Sequence, residues 1–307
     1  MTRLLTLAVA LLIVLAGCST AARPRPVDPS PTPLAPPYTV EVDGRTVRVQ
    51  TGGLDGRQPD APVVVFEHGA GETLATWADL LPAVAGFAPV VAYDRAGLGG
   101  SDAADDVALA ATAGRLFRLL DVLDVDGPVV LVGHSWGGAH VRYAAGLRPD
   151  RVAGAVYLDP TDAELTRDED RAVFVAAGLG EMAEPAYQTF RAGTLAYIAQ
   201  APPGARRELE AMEALHGTPV EARALPPHPE VPVAVVLAAR PTPPPPGFPP
   251  DAYRAWERTY ADLRADRFGR LVRSSPDGTL VVATALGHDV HRDDPALVVE
   301  VVRRVLR

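Results

Sequence analysis

The segment Gly133-His134-Ser135-Trp136-Gly137 places a serine between two glycines, after a β-branched run and before a helical pattern. Glycines at these positions allow the sharp strand-to-helix turn that lifts a serine hydroxyl out of a sheet. The N-terminus of the following helix favours negative charge at the same point. The spacing therefore predicts that Ser135 is a nucleophile.

A serine nucleophile needs a general base, and the C-terminal part of the chain offers one. Gly287-His288 follows the last β-branched run, 279–285, and precedes the final helical pattern. This is where the histidine belongs when a triad follows the chain order nucleophile, acid, histidine. His291 is the nearest alternative. Three other histidines fit this order poorly because they precede the acid: His68, His134 and His140.

The acid of the triad can be chosen between two strand ends. The run 231–238 leads into the Pro-rich segment 241–250, and the first carboxylate after it is Asp251. The run 153–159 ends in Leu158-Asp159-Pro160, directly at a strand terminus. We therefore expect Asp159 to accept the ring N–H of His288 and fix its tautomer. Asp162 and Asp251 remain alternatives, and Asp159 could instead only cap a helix.

With these motifs the chain resembles the α/β-hydrolase superfamily, from about residue 38 to the C-terminus. Glu67-His68-Gly69-Ala70-Gly71 is similar to the oxyanion loop of that family. The resemblance implies that the backbone N–H groups of Ala70 and Trp136 form the oxyanion hole. The Gly-rich turn that begins at Asp94-Arg95 looks like the family's turn after the fourth strand, and we interpret both residues as structural.

The resemblance also bears on the type of reaction. An acid after strand six is similar to the haloalkane dehalogenase branch of the superfamily. Dehalogenases and epoxide hydrolases of this fold use an aspartate nucleophile, whereas this chain has Ser135 at that position. The resemblance therefore implies hydrolysis of an acyl group, with no cofactor and no metal.

The elements that must position these residues alternate along the chain. The runs 38–42 and 46–50 flank Asp43-Gly44 and predict an antiparallel hairpin. Short β-branched runs, apolar on both faces, then predict buried parallel strands, and helical patterns separate most of them. We expect an α/β-hydrolase fold: a mostly parallel, doubly wound sheet of eight strands. The strands are predicted at 62–68, 89–94, 128–134, 153–159, 231–238 and 279–285, and the helices at 74–84, 105–124, 136–147, 252–267 and 295–306.

One segment interrupts this alternation. Residues from about 163 to 229 favour helix and contain no clear strand, which predicts a helical cap over the carboxyl ends of the strands. Its large apolar side chains could form an acyl pocket or simply the core of the cap. They are Phe174, Met182, Tyr187, Phe190 and Tyr197.

Composition narrows the class of protein. Of the 307 residues, 48% are hydrophobic and 22% charged, which is typical of a globular protein. The formal charge of −9 is spread along the chain, and the basic residues form no stripe, so nucleic acid is not an expected partner. The seven histidines and the single cysteine show no spacing typical of metal ligands.

The N-terminus predicts export. Residues 4–16 form an apolar run after Arg3 that suits a signal peptide, 1–17, and is too short to span a bilayer. The run ends in Leu15-Ala16-Gly17-Cys18, which resembles the lipobox of bacterial lipoproteins and implies lipidation of Cys18. The Pro-rich segment 18–37 predicts an extended tether before the domain at 38–307. We expect a lipid-anchored protein that faces outside the cytoplasm; the alternative is an ordinary signal peptide.

The sequence therefore predicts a serine hydrolase with the triad Ser135, Asp159 and His288. A carboxylesterase acting on a small or medium-sized ester is the first hypothesis. An amidase or peptidase with the same triad is an alternative within enzymes. A non-catalytic, membrane-tethered binding protein on a hydrolase fold is the alternative outside them, and it would require a missing member of the triad.

Overall fold

The sheet forms the centre of the domain. The computed structural model describes residues 34–244 and 248–307, and within them eight strands pair in the order β1-β2-β4-β3-β5-β6-β7-β8. The pairs β1–β2 and β2–β4 are antiparallel, and all the others are parallel. The strands are β1 (Tyr38–Val42), β2 (Arg45–Gly52), β3 (Val63–Glu67), β4 (Val90–Tyr93), β5 (Val129–His134), β6 (Val152–Leu158), β7 (Val233–Ala238) and β8 (Gly278–Ala283). The predicted fold class is confirmed.

Helices cover both faces of this sheet. The α-helices are α1 (Leu81–Ala85), α2 (Leu109–Val122), α3 (Trp136–Leu147), α4 (Arg167–Ala176), α5 (Ala183–Gln200), α6 (Pro203–Gly217), α7 (Pro250–Arg273), α8 (Val290–Asp293) and α9 (Pro295–Val305). Residues of α2, α3 and α7 form the apolar core on one face, and residues of α1 and α9 form the core on the other.

The residues of β3 are suited to a strand at the centre of the sheet. All five of its side chains are buried. Successive side chains of a strand point to opposite faces, so Val63 and Val65 join one core while Val64 and Phe66 join the other. A run that is apolar at every position therefore stabilises a strand with helices on both sides.

Two predicted helices differ most from the observed ones. The predicted helix 74–84 is split into a 3-10 helix, Leu74–Trp77, and the short α1, which has Pro82 in its first turn. A proline favours the start of a helix because it has no backbone N–H to donate. The predicted helix 252–267 extends at both ends and becomes α7.

Helices fill the chain between β6 and β7. Two 3-10 helices, Gly180–Met182 and Val220–Arg223, accompany α4, α5 and α6 there. We call residues 163–229 the cap. The interpretation of its aromatic residues as core is confirmed for Phe174, Tyr187 and Phe190, which pack with Trp256 of α7. Met182 and Tyr197 do not join them and are 50% and 66% exposed.

The predicted signal peptide, Cys18 and most of the tether lie outside the described residues. The end of the tether is described, and it contacts the sheet. Leu34 forms a β-bridge with Gly52, and the Ala35 N–H donates to the Thr51 carbonyl at 2.9 Å. Residues 34–35 are therefore attached to β2. Among the described residues, none of the helices has both the length and the apolar character required to cross a bilayer.

Candidate active site

The serine of the predicted nucleophile turn lies between β5 and α3. Ser135 has φ 52° and ψ −121°, a conformation that a non-glycine residue adopts only when its surroundings enforce it. The flanking glycines are required by close backbone approach. A Cβ on Gly133 would lie 2.4 Å from the Gly137 carbonyl oxygen, and one on Gly137 would lie 2.1 Å from the Glu67 carbonyl oxygen. The geometric reason for the G-x-S-x-G spacing is thus present in the fold.

Asp159 and His288 are brought together from distant parts of the chain. Asp159 follows β6 directly and also has a positive φ, of 41°. Nδ1 of His288 donates to Oδ2 of Asp159 at 2.6 Å. The ring of His288 lies against the ring of His134, with centroids 4.8 Å apart. Since His134 is the neighbour of Ser135, the histidine is placed beside the nucleophile turn.

Hydrogen bonds and charges set the ionisation of this pair. Burial raises the pKa of Asp159, but the His288 hydrogen bond and the charge of Arg264 outweigh burial, so the pKa is lowered. Desolvation lowers the pKa of His288, but its hydrogen bond to Asp159 and the charge of that carboxylate leave it raised. Asp159 therefore stays ionised and stabilises the imidazolium that a general base forms.

Arg264 of α7 is a residue that sequence reasoning missed. Its Nη1 donates to Oδ1 of Asp159 at 2.8 Å, and its Nη2 donates to the Pro160 carbonyl at 3.0 Å. The Ala238 N–H donates to the same Oδ1 at 2.9 Å. Oδ1 is thus held by two donors, which leaves Oδ2 directed at His288.

The predicted oxyanion donors are backbone groups of the loop after β3 and of the first residue of α3. Neither the Ala70 N–H nor the Trp136 N–H has a hydrogen-bond partner among the described residues. The N–H groups on either side of Ala70 are occupied, because that of Gly69 donates to Glu72 and that of Gly71 donates to Glu208. Ala70 and Trp136 therefore keep donors free for a ligand oxygen.

Comparison with known proteins identifies the family of the chain. A profile of the alpha/beta hydrolase family matches residues 64–301, which include every residue of the candidate site. The chain belongs to the alpha/beta hydrolase family. The enol-lactonase of Burkholderia xenovorans shares the fold, with a TM-score of 0.57 and 19% identity over 88% of this chain and 99% of that one.

Curated members of the alpha/beta hydrolase family match shorter parts of the chain. A haloalkane dehalogenase of Mycolicibacterium smegmatis is 34% identical over 121 residues, which are 38% of this chain and 38% of that protein. Lipase LipV of Mycobacterium tuberculosis is 42% identical over 106 residues, 33% of this chain and 39% of that protein. The chain thus spans well under half the length of these two relatives.

The alternative acids occupy other places in the structure. Asp162 is buried and pairs with Arg267, whose Nη1 lies 3.1 Å from Oδ2 of Asp162. Asp251 lies in the first turn of α7 and is exposed. Neither residue has a contact with His288 among the described residues. Of the three candidates, the structure brings only Asp159 to the histidine.

The alternative bases also have other environments in the structure. His291 is 2% exposed and packs against the rings of Trp77 and His134. Burial lowers its pKa to about 4. His68 and His140 are buried as well, and burial lowers the pKa of His68 to about 3. These histidines stay neutral at neutral pH, while His288 combines an exposed side chain with a carboxylate partner.

A group of side chains behind His288 has the composition of a metal site. Ligand atoms of Glu72, His134, Asp289 and His291 lie within 4.8 Å of one another. The guanidinium of Arg292 is 3.5 Å from a carboxylate oxygen of Glu72 and from one of Asp289, so both acids share one positive charge. We assign this group to the support of the catalytic loop, because His134 Nε2 also donates to the His288 carbonyl at 2.9 Å.

A cleft of about 570 Å³ opens beside the loop that carries Ala70. Ala70 and Gly71 line it on one side, and the turn Gly97–Gly99 forms its floor. The other side belongs to the cap, where Tyr197 and Gln200 of α5 are among the lining residues. The cleft therefore lies between the loop that carries Ala70 and the cap, while Ser135 and His288 are not among its lining residues.

Proposed function

We propose that this hydrolase is a carboxylesterase that cleaves small or medium-sized esters through Ser135, His288 and Asp159. The observation that carries the proposal is the 2.6 Å contact between His288 Nδ1 and Asp159 Oδ2, next to a serine in a strand-end turn. Three parts of the chain that are far apart in sequence contribute to this arrangement, and it has the pattern of a serine triad.

The reaction follows from the roles of these groups. His288 removes the proton of the Ser135 hydroxyl, and the serine oxygen attacks the ester carbonyl carbon. The negative charge that develops on the carbonyl oxygen is stabilised by the N–H groups of Ala70 and Trp136. The tetrahedral intermediate collapses as His288 protonates the leaving alcohol. A water activated by His288 then hydrolyses the acyl-enzyme and regenerates Ser135.

The nature of the nucleophile favours acyl transfer over the reactions named for some relatives. Matching proteins include haloalkane dehalogenases, epoxide hydrolases and a lipase. If the serine oxygen attacked the alkyl carbon of a haloalkane or an epoxide, the product would be an ether, which water does not readily cleave. Attack on an ester carbonyl gives an acyl-serine, which is itself an ester that water can hydrolyse. Ser135 therefore supports the lipase-like chemistry.

Hydrolysis of p-nitrophenyl esters of graded acyl length tests this proposal. The full-length protein in detergent is compared with Ser135→Ala and His288→Ala, and both variants are expected to lose turnover while circular dichroism shows an intact fold. The preferred acyl length then reports the size of the site. Turnover that persists in Ser135→Ala would exclude the triad, and turnover of anilides without esters would identify an amidase instead.

We also propose that the hydrolase is a lipoprotein anchored through Cys18, on the outer side of the cytoplasmic membrane. The apolar run 4–16 followed by Leu15-Ala16-Gly17-Cys18 supports this proposal. Mass spectrometry of the N-terminal peptide is expected to show acyl chains on Cys18. Cys18→Ala is expected to leave the membrane fraction, and an unmodified Cys18 in the mature protein would contradict the anchor.

A further inference from the structure

Three buried charged side chains meet beside the oxyanion loop. Arg95 follows β4, Glu67 ends β3, and Glu208 belongs to α6 in the cap. Arg95 Nε donates to Glu208 Oε1 at 2.6 Å, and Arg95 Nη2 donates to Oε2 at 2.8 Å. The side chains of Arg95 and Glu208 are 1% and 3% exposed. A two-point pair of this kind has a fixed geometry, so it ties the cap to the core at one defined place.

The same pair fixes the peptide group that carries the Ala70 N–H. Arg95 Nη2 donates to the Gly69 carbonyl at 2.8 Å, and His68 Nδ1 lies 2.9 Å from that oxygen. In a trans peptide the carbonyl and the following N–H point in opposite directions, and the described chain has no cis peptide. Holding the Gly69 oxygen on Arg95 therefore directs the Ala70 N–H to the other side.

The next peptide group is held by the cap itself. The Gly71 N–H donates to Oε2 of Glu208 at 2.9 Å. Gly71 has φ +72°, and a Cβ on it would lie 2.5 Å from the Cβ of Ala205, also in α6. The loop thus contacts α6 through both a hydrogen bond and a close approach that requires glycine. Both peptide groups that flank Ala70 depend on Glu208, one directly and one through Arg95.

The charge of Arg95 keeps the buried carboxylate of Glu208 ionised. Burial raises the pKa of Glu208, but Arg95 outweighs burial and lowers it to about 2. Arg95 also donates to Glu67 at 3.2 Å and to the His68 carbonyl at 2.6 Å. Loss of Glu208 would leave Arg95 free to turn towards Glu67, and its hold on the Gly69 carbonyl would weaken.

We propose that Glu208 is a positioning residue of the cap that sets the Ala70 N–H in the oxyanion hole, acting on the loop directly and through Arg95. The proposal rests on the esterase function proposed above. Its consequence is that half of the oxyanion hole forms only when α6 is docked on the core, so the cap contributes to the chemical step and not only to substrate binding.

Three variants in the full-length protein test this role. Glu208→Asp keeps the charge and withdraws the carboxylate, Glu208→Gln removes the charge, and Glu210→Gln is the matched control because Glu210 is exposed on the same helix. Loss of one oxyanion donor costs on the order of 10²-fold in kcat. We expect the kcat of Glu208→Gln for p-nitrophenyl esters to fall by close to this factor, with KM changed less than threefold. We expect the kcat of Glu208→Asp to fall about tenfold.

A tetrahedral inhibitor separates positioning from a structural role. A trifluoromethyl ketone forms an oxyanion on Ser135, so its Ki is expected to rise by the same factor by which kcat falls. A variant that is folded by circular dichroism, but has kcat and Ki within twofold of those of Glu210→Gln, would overturn the proposal. A rise confined to KM would do so as well.

Hydrogen exchange tests the same role without ester turnover. Amide exchange of a peptide covering residues 68–72 is expected to be slow in the unmodified protein and at least tenfold faster in Glu208→Asp, with no change in Glu210→Gln. Equal exchange in all three proteins would overturn the proposal even if the protein cleaved no ester. If exchange responds and no ester is turned over, the positioning stands and the esterase assignment fails.

Discussion

Nε2 of His134 lies 2.9 Å from the backbone carbonyl oxygen of His288. The residue before the nucleophile therefore donates a hydrogen bond to the loop that carries the base. This bond links the end of β5, next to Ser135, to the segment after β8, so the backbone of His288 is positioned against the turn that carries Ser135.

Removal of this donor is expected to lower activity. In His134→Leu the His288 carbonyl loses its partner, and a net hydrogen-bond contribution of about 1 kcal/mol corresponds to a loss of roughly fivefold in kcat. His134→Gln can place an amide N–H near the position of Nε2, and it is expected to retain most of the activity. Ester kinetics of both variants provide the measurement, and equal losses in the two would contradict a role for the donor.

Asp159→Asn is expected to lower kcat by on the order of 10⁴-fold, because an amide at this position favours the wrong tautomer of His288. Asp251→Asn is the control, since Asp251 is exposed at the start of α7, and it is expected to stay within twofold of the unmodified protein. Active-site titration with a phosphonate ester measures the concentration of reactive sites, so a lower rate per site is distinguished from a smaller amount of folded protein. A large effect of Asp251→Asn instead would move the acid to the end of β7.

The pH dependence of kcat/KM is expected to report the His288 pKa. The base must be neutral to accept the proton of Ser135, so activity falls as the pH drops below this pKa. Asp159 raises the pKa of His288 above its ordinary value of 6.5, which puts the midpoint of the acid limb above pH 6.5. In Asp159→Asn the residual activity should have its midpoint at lower pH, and an unchanged midpoint would argue against the pairing.

Arg264→Gln is expected to lower both stability and activity. It removes a charged donor from Oδ1 of Asp159, and hydrogen bonds to charged groups contribute about 1.5–3 kcal/mol. Arg270→Gln is the control because Arg270 lies on the same helix and its side chain is 57% exposed. Urea unfolding and ester kinetics compare the two. Equal behaviour of both variants would mean that Ala238 alone suffices to orient Asp159.

The sequence predicts the sheet well because the strands carry their own signal. Central strands such as β3 are β-branched and apolar at every position, and only a strand with helices on both faces buries such a run. The nucleophile turn is predicted for a similar reason, since Gly133 and Gly137 are required by backbone contacts within a few residues. Features that depend on contacts between residues close in sequence can therefore be recognised from the sequence.

The supporting residues of the site leave no such pattern. Arg264 lies in the middle of a long helix, and its arginine resembles the exposed arginines beside it. Glu208 likewise occurs in an ordinary amphipathic helix, and only the packing of α6 on the core places it against Arg95. The sequence indicates a structural role for Arg95 but does not show its partner Glu208, which relates Arg95 to the oxyanion loop only in the folded chain.

The attachment of residues 34–35 to β2 bears on how a lipid-anchored enzyme would meet its substrates. Roughly 16 residues separate Cys18 from this attachment, and an extended Pro-rich chain rises about 3.1 Å per residue, so the pivot would stay within about 50 Å of the bilayer. Under the proposed anchor and esterase function, diffusion in a layer this thin would favour esters that partition into or arise at the membrane surface over those dilute in bulk solvent.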